Sequence, residues 1–491
     1  MAYFHYDRLT ALDSMFLDLE TEAVHMHVGA VATYDARPVR TKAGALDIER
    51  IFAHADKALR KTPRFRQKLS HVPLFNRPVW VDDDRFNLLY HLRHTSLPRP
   101  GDIRQLKRLA GRIMSQKLDR GKPLWEMWFV DGVEGDQFAV ISKVHHCMID
   151  GISGVDVISA IMAAEPHAGL PPAKPWVARP APAARDLLRG ELTRRAVLPL
   201  ALLKGGQELL QRPSETVESV VDTLRGLGEA ARLAINPASP TPLNTEIGPH
   251  RRFDWVRLDI EAIDGIRQRV GGTINDVVLA TVAGAARRFL RERGVNVNKL
   301  DFRAMVPVNL RGDAERGALG NRISFLMAQL PVDERDPYKR YKRVMDTTHR
   351  MKRSSQIRGG EALEELSDLT FSQLMVQYAK LSTRNRFANI VVTNVPGPRT
   401  PVYLLEARMR EIYPVVPLFE NQAVGVALFS YDGGLHWGFN SDWDAVPDLH
   451  HLVDATAAEF GLLRKMAAEA PVEIGRGAAR TTGRRTRPSA A

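Results

Sequence analysis

The chain has 491 residues, 44% of them hydrophobic, with a formal charge of +12 and a single cysteine, Cys147. That length and apolar content can bury two ordinary cores, so two domains are expected. One cysteine excludes an intrachain disulfide and a cysteine-based zinc cluster and fits a reducing cytoplasm, while the charge points to an anionic partner: a membrane surface, a nucleic acid or a phosphate-rich substrate.

Residues 1–20 lack the basic stretch and apolar core of a signal peptide. Thr10 and Asp13 have the T-x-x-D spacing of a capping box, which predicts a short helix through Leu17. His27 to Tyr34 reads as a strand, and His25 with His27 forms an H-x-H pair. With no third ligand nearby, strand packing explains that pair better than a metal. Ile51 to Arg60 carries a helical pattern, and Ile103 to Leu118 a second one rich in lysine and arginine. Along most of the chain the basic residues are interspersed with acids, which weighs against a nucleic-acid partner.

Pro123-Leu124-Trp125-Glu126 opens a strand, because proline has a fixed φ and no amide for a central ladder. Trp125 to Val130 and Gln137 to Val144 are apolar runs around the turn segment 131–136, a hairpin pattern. The second run ends in Lys143-Val144-His145-His146-Cys147-Met148-Ile149-Asp150-Gly151. Neighbouring side chains on a strand face opposite sides, so only one of His145 and His146 looks into a given cavity. Asp150 and Gly151 mark the turn out of the strand, where a carboxylate can fold back, with Arg311 as one candidate ion-pair partner. A histidine on an apolar strand is usually a packed core residue and Asp-Gly alone only a turn; the complete string is what suggests chemistry. Cys147 beside a histidine suggests a nucleophile pair, but adjacent strand side chains diverge, and a small buried cysteine is the better reading.

From Glu165 to Pro182 the chain is dense in proline and alanine and reads as an extended linker. The apolar run from Ala196 to Lys204, broken by Pro199, is far shorter than the roughly 20 residues of a membrane span. It suits either a segment lying in a membrane interface or a helix packed on the domain. A second domain begins near Thr241, with a strand from Phe253 to Ile260 and a helix opened by Gly271-Gly272-Thr273. Leu279, Val282, Ala286, Phe289 and Leu290 share one face of that helix. Asn275 and Asp276 lie in its first turn, where free amides and the dipole receive an anion or oxyanion, although Asn275 would serve equally as a cap. Phe302 to Val308, Ile323 to Leu330 and Asn389 to Asn394 read as strands, the last running into the rigid turn Val395-Pro396-Gly397-Pro398-Arg399. Gln422 to Phe429 and Leu435 to Asn440 pair around 430–434. These boundaries divide the chain into 1–180, 181–240, 241–468 and a basic tail at 469–491.

The H-H-x-x-x-D-G string is similar to the signature of the CoA-dependent acyltransferases, which include chloramphenicol acetyltransferase, plant alcohol acyltransferases and the condensation domains of peptide synthetases. In that superfamily the second histidine is the general base and the aspartate is mainly structural. Leu9-Thr10-Ala11-Leu12-Asp13, Met26-His27-Val28-Gly29, Pro123-Leu124-Trp125-Glu126, Asn275-Asp276, Val306 to Arg311, Thr393 to Pro398 and Ser430-Tyr431-Asp432-Gly433 join it in order. Together they resemble the bacterial wax ester synthase/diacylglycerol acyltransferase family, with Thr393 where many relatives have serine.

The resemblance implies an α/β fold of two chloramphenicol-acetyltransferase-like domains with a substrate tunnel between them. It implies acyl transfer from acyl-CoA to diacylglycerol or a long-chain alcohol. His146 is then the base, with His145 and Asp150 beside it. Asn275 or the nearby helix amides would donate to the oxyanion, and Gly151, Pro123, Leu124, Trp125 and Asp276 shape the site. No metal and no cofactor is implied, since acyl-CoA is a substrate. The implied setting is cytoplasmic, peripheral to the inner membrane or a lipid droplet. Two other readings are a superfamily member using a carrier-protein thioester and a non-catalytic lipid-binding protein of the same fold.

Overall fold

The structure, a computed structural model, describes residues 6–148, 156–166, 176–196, 236–309, 323–352 and 386–470. Its first half supplies β1 (Asp7–Arg8), α1 (Ala11–Leu19), β2 (His27–Asp35), α2 (Ile48–Leu59), β3 (Gln67–Val72), β4 (Arg77–Asp82), α3 (Leu88–His91) and β5 (Leu92–Ser96). Next come α4 (Ile103–Met114), β6 (Trp125–Val133), β7 (Gln137–His145) and α5 (Asp156–Ser159). The second half supplies β8 (Arg251–Asp259), α6 (Ile260–Val270), α7 (Ile274–Glu292), β9 (Phe302–Asn309), β10 (Ile323–Leu330) and α8 (Pro337–Lys352). It closes with β11 (Ile390–Val395), β12 (Tyr403–Leu404), β13 (Ala407–Val415), β14 (Val424–Tyr431), β15 (Gly434–Asp442) and α9 (Leu449–Glu469).

One six-stranded sheet has the order β12-β13-β2-β7-β6-β5 and the other β10-β9-β11-β14-β15-β8, with a small β1-β4-β3 sheet beside them. The β6–β7 hairpin forms as its two apolar runs predict, with β6 running on to Val133, and β2 pairs antiparallel with β7 so that His27 lies opposite His145. The two halves interlock: β13 leaves the second half and pairs along β2, Tyr413 opposite Val31. Val31 and Ile141 of the first sheet, Phe253 and Trp255 of β8 and Tyr413 then share one core with α4. Gly111 lets α4 lie directly on β8, since a Cβ there would sit 2.8 Å from the carbonyl oxygen of Arg251. The β14–β15 turn places Asp432 and Gly433 at φ 42° and 75°, the left-handed pair of a tight hairpin loop.

Three expectations change. The helix predicted through Leu17 continues to Leu19. The basic helix α4 stops at Met114, not Leu118: Ser115 Oγ donates to Gly111 O, and Lys143 Nζ from β7 donates to Ile113 O in the last turn and to Gln116 O just beyond it. The helix read as one-faced, α7, is buried continuously from Asp276 to Ala286. It packs against α6, α8 and α9 over the second sheet, so all sides of its middle are core.

Candidate active site

The strand β7 ends at His145, and His146 to Met148 form a 3-10 turn. The two histidines are therefore separated by the end of the strand and not by strand alternation, and both meet α1 or the residue just after it. Phe16 stacks on the His146 ring, centroids 3.8 Å apart at 25°. The His146 amide donates to Met26 O at 2.8 Å, tying the turn to the chain before β2. The side chain is half-buried, and its Nδ1 is enclosed with no hydrogen-bond partner among the described residues. Burial, with the adjacent His145 second, lowers its pKa to about 4. At neutral pH the ring is uncharged, the form a general base requires.

His145 is fully buried. Its amide donates to Leu124 O at 2.9 Å, and its Nδ1 accepts the Cys147 amide at 3.2 Å. Its Nε2 faces Glu20 Oε1 at 3.6 Å, beyond hydrogen-bond length, and His27 Nε2 lies 3.3 Å from the same oxygen. Arg120 holds the other oxygen of Glu20 through Nη2 at 2.8 Å and Nε at 3.1 Å, and Nη2 also donates to Leu17 O. Burial alone would raise the Glu20 pKa; the two imidazoles outweigh it and hold the carboxyl well below its usual range. Burial lowers the pKa of His145 and takes that of His27 to about 3, so both imidazoles are neutral. Sequence reading passed over Glu20 and Arg120. The available signal was an acid immediately after a helix C-terminus, where the dipole disfavours negative charge.

Cys147 is buried in the turn, and burial pushes its thiol well above the ordinary pKa, away from thiolate chemistry. Pro123, Leu124 and Trp125 are buried beneath the strand end. Leu124 contributes the carbonyl that receives the His145 amide, and Trp125 stacks on His91 at 4.6 Å while its Nε1 donates to Phe65 O. Asp150, Gly151 and Arg311 lie outside the described residues.

Thr273 caps α7 and Asp276 completes the capping box, its Oδ2 accepting from Thr273 N at 2.6 Å. Its other oxygen accepts from Thr348 of α8, so the Asp276 carboxylate is engaged in bracing the start of α7. Asn275 is exposed, and its Oδ1 accepts from Asn394 Nδ2 at 2.8 Å. This brings together two stretches that the sequence singled out separately and turns the Asn275 amide so that Nδ2 has no acceptor among the described residues. Nearby along the chain, beyond the Val395-Pro396-Gly397-Pro398 turn, a cavity of about 220 Å³ is lined by Ile158, Met162, Ala163, Met409, Ile412 and Phe429, among others.

The two interlocked α/β units have the two-domain architecture of the chloramphenicol-acetyltransferase type. The model of the wax ester synthase/diacylglycerol acyltransferase catalytic domain matches residues 9–278, and that of the C-terminal domain of the same enzymes matches residues 319–464. The chain belongs to the wax ester synthase/diacylglycerol acyltransferase family. A putative diacylglycerol O-acyltransferase of Mycobacterium tuberculosis H37Rv is 32% identical over 463 residues, covering 91% of this chain and 88% of the relative. The probable diacylglycerol O-acyltransferase tgs1 of the same organism is 29% identical over 457 residues, 91% of this chain and 93% of that one. The solved wax ester synthase/diacylglycerol acyltransferase from Marinobacter aquaeolei VT8 superposes with a TM-score of 0.65 at 24% identity, covering 94% of this chain and 100% of that chain. The first condensation domain of the calcium-dependent antibiotic synthetase has the same fold, with a TM-score of 0.58 at 15% identity over 94% and 96% of the two chains. Among the described residues no helix is long and apolar enough to cross a membrane.

Proposed function

We propose that the protein moves a fatty acyl group from acyl-CoA to the hydroxyl of diacylglycerol or a long-chain alcohol, in a ternary complex with His146 as general base. The observation that carries this reading is the neutral, half-buried His146, held by the Met26 carbonyl and by Phe16. His146 takes the hydroxyl proton as the alcohol oxygen attacks the thioester carbonyl, a contribution typically of about 10²–10⁴-fold. The tetrahedral oxyanion is stabilised by the unengaged amide of Asn275. Collapse breaks the C–S bond, the departing CoA sulfur recovers the proton from the imidazolium, and the products are the ester and free CoA.

The residues 1–180 supply the base, 241–468 supply Asn275 and the facing walls, and 181–240 join them. No metal or bound cofactor enters this scheme, because acyl-CoA brings the activated acyl group. The apolar cavity beside Phe429 supports an alkyl-chain substrate. The positive charge supports a peripheral position at an anionic membrane or lipid droplet on the cytoplasmic side. The test is an acyl-CoA turnover assay with hexadecanol and dioleoylglycerol side by side, reading released CoA and ester formed. Ester from at least one acceptor, and its loss in folded His146→Ala, is the expected result. Near-normal turnover by that variant would overturn the mechanism.

A further inference from the structure

Three consecutive amides fix the turn that carries His146. His145 N donates to Leu124 O at 2.9 Å, His146 N to Met26 O at 2.8 Å, and Cys147 N to His145 Nδ1 at 3.2 Å. The first two acceptors are main-chain carbonyls of neighbouring segments. The third is a side chain, and it accepts only while Nδ1 carries no proton.

A neutral imidazole has one N–H, and the bond made by one nitrogen decides where the proton sits. With Nδ1 accepting, the proton is on Nε2. Among the described residues the charged group facing Nε2 is Glu20 Oε1, 3.6 Å away, a charge–dipole contact longer than a hydrogen bond, and both groups are sealed from water, with side chains 1% exposed. Glu20 is itself fixed by the paired donors of Arg120, which also cap α1 at Leu17 O. A tautomeric shift to Nδ1–H would set two N–H groups against each other at Cys147 and leave a buried carboxylate facing a lone pair, both unfavourable in a site closed to water.

We propose that Glu20 is a positioning residue for the reaction: anchored by Arg120, its carboxylate keeps the His145 proton on Nε2, leaves Nδ1 to accept the Cys147 amide, and so sets the turn that presents His146. Glu20 acts through His145 and touches no substrate. The inference rests on the reading of His146 as the base, since it assigns a purpose to the turn's geometry. A displacement near 1 Å in such a group is enough to lower a rate by about 10²-fold.

The experiment is a double-mutant cycle on the full chain, with kcat, KM for acyl-CoA and thermal midpoint measured for each variant. Glu20→Gln loses the charge at constant shape and should lower kcat by at least about tenfold with KM within about twofold. His145→Asn places an amide oxygen where Nδ1 lies and can still receive the Cys147 amide. His145→Gln extends past that position and cannot, so it should be the slower of the two. Because Glu20 works only through the histidine proton, adding Glu20→Gln to His145→Asn should change kcat by no more than about twofold. An equal penalty for Glu20→Gln in both backgrounds, or His145→Gln matching His145→Asn, would overturn the proposal. So would variants at both positions that fail to fold, since that outcome assigns the pair to stability. Turnover surviving in His146→Ala would sink the parent mechanism, and it is read independently of the cycle.

Discussion

Lowering the pH from 7 to 5 separates this site from one built on an ordinary histidine. With a pKa of about 4, His146 is still about 90% neutral at pH 5, whereas an imidazole at 6.5 would be only about 3% neutral. A base must be unprotonated, and protonation sets in below its pKa, so a lowered pKa moves the acid limb down. kcat/KM at pH 5 should therefore stay near its value at pH 7 instead of falling about 25-fold. The assay is initial-rate CoA release with a soluble medium-chain alcohol between pH 4.5 and 8. The fold needs its own control, because burial also lowers His91 and His436 to about 4. These groups are neutral when folded and take up protons in the unfolded chain below 6.5, so their stabilisation is complete above that pH and is lost as pH falls towards 4. At pH 5 each accounts for roughly 2 kcal/mol of lost stability. Circular dichroism at each pH, and recovery of rate on return to pH 7, distinguish titration of the base from unfolding. An acid limb centred between pH 6 and 7, with the fold intact, would refute the assignment of His146 as a desolvated base.

Other substitutions read other parts of the site. Asn275→Ala should lower kcat by roughly 10²–10³ with little change in KM, and Asn394→Ala, which only releases the amide it orients, by less; unchanged kcat in the first would reduce Asn275 to a helix-end residue. Ala163→Phe projects into the 220 Å³ cavity, which holds about seven water-sized groups, and should shift the chain-length optimum measured by product chromatography towards shorter chains. An unaltered profile would place the alkyl chain elsewhere. Removing 471–491, which holds Arg476, Arg480, Arg484, Arg485 and Arg487 against Glu473, should weaken sedimentation with anionic vesicles at low salt, at about 1 kcal/mol per basic residue near the surface. Equal sedimentation of the two proteins would dismiss the tail.

Local signals carried most of what could be read in advance. The β6–β7 hairpin follows from two apolar runs around the Asp131–Asp136 turn segment, and α1 from the Thr10/Asp13 pair, whose Oγ1 and amide meet as the spacing predicts. What escaped is non-local. No pattern within 103–118 reveals that Lys143, on a strand further along the chain, will take carbonyls at and just past the end of α4. The one-faced reading of α7 failed because alanines and a glycine, neutral in a periodicity count, become core when helices pack on every side. Glu20 belongs to the same class: its environment is assembled from β2, β7 and the loop after α4, and only the misfit of an acid at a helix end hinted at it. Asn275 could be picked out from its position in a first turn, but its pairing with Asn394 joins residues 119 apart.

The interlocking of β13 with β2 bears on how the protein is made. During synthesis the strand that begins at His27 has β7 on one side, while its other edge must wait until residues 407–415 have left the ribosome. An open edge of this kind is a template for intermolecular pairing. A fragment ending near residue 180 would carry the whole H-H-x-x-x-D-G string and still present that edge, so it should aggregate on expression alone. Adding the second half in trans should rescue its solubility. Inserting sequence between the halves prolongs the interval in which β2 stands unpaired, and yield should fall with insert length when translation outpaces chaperone capture.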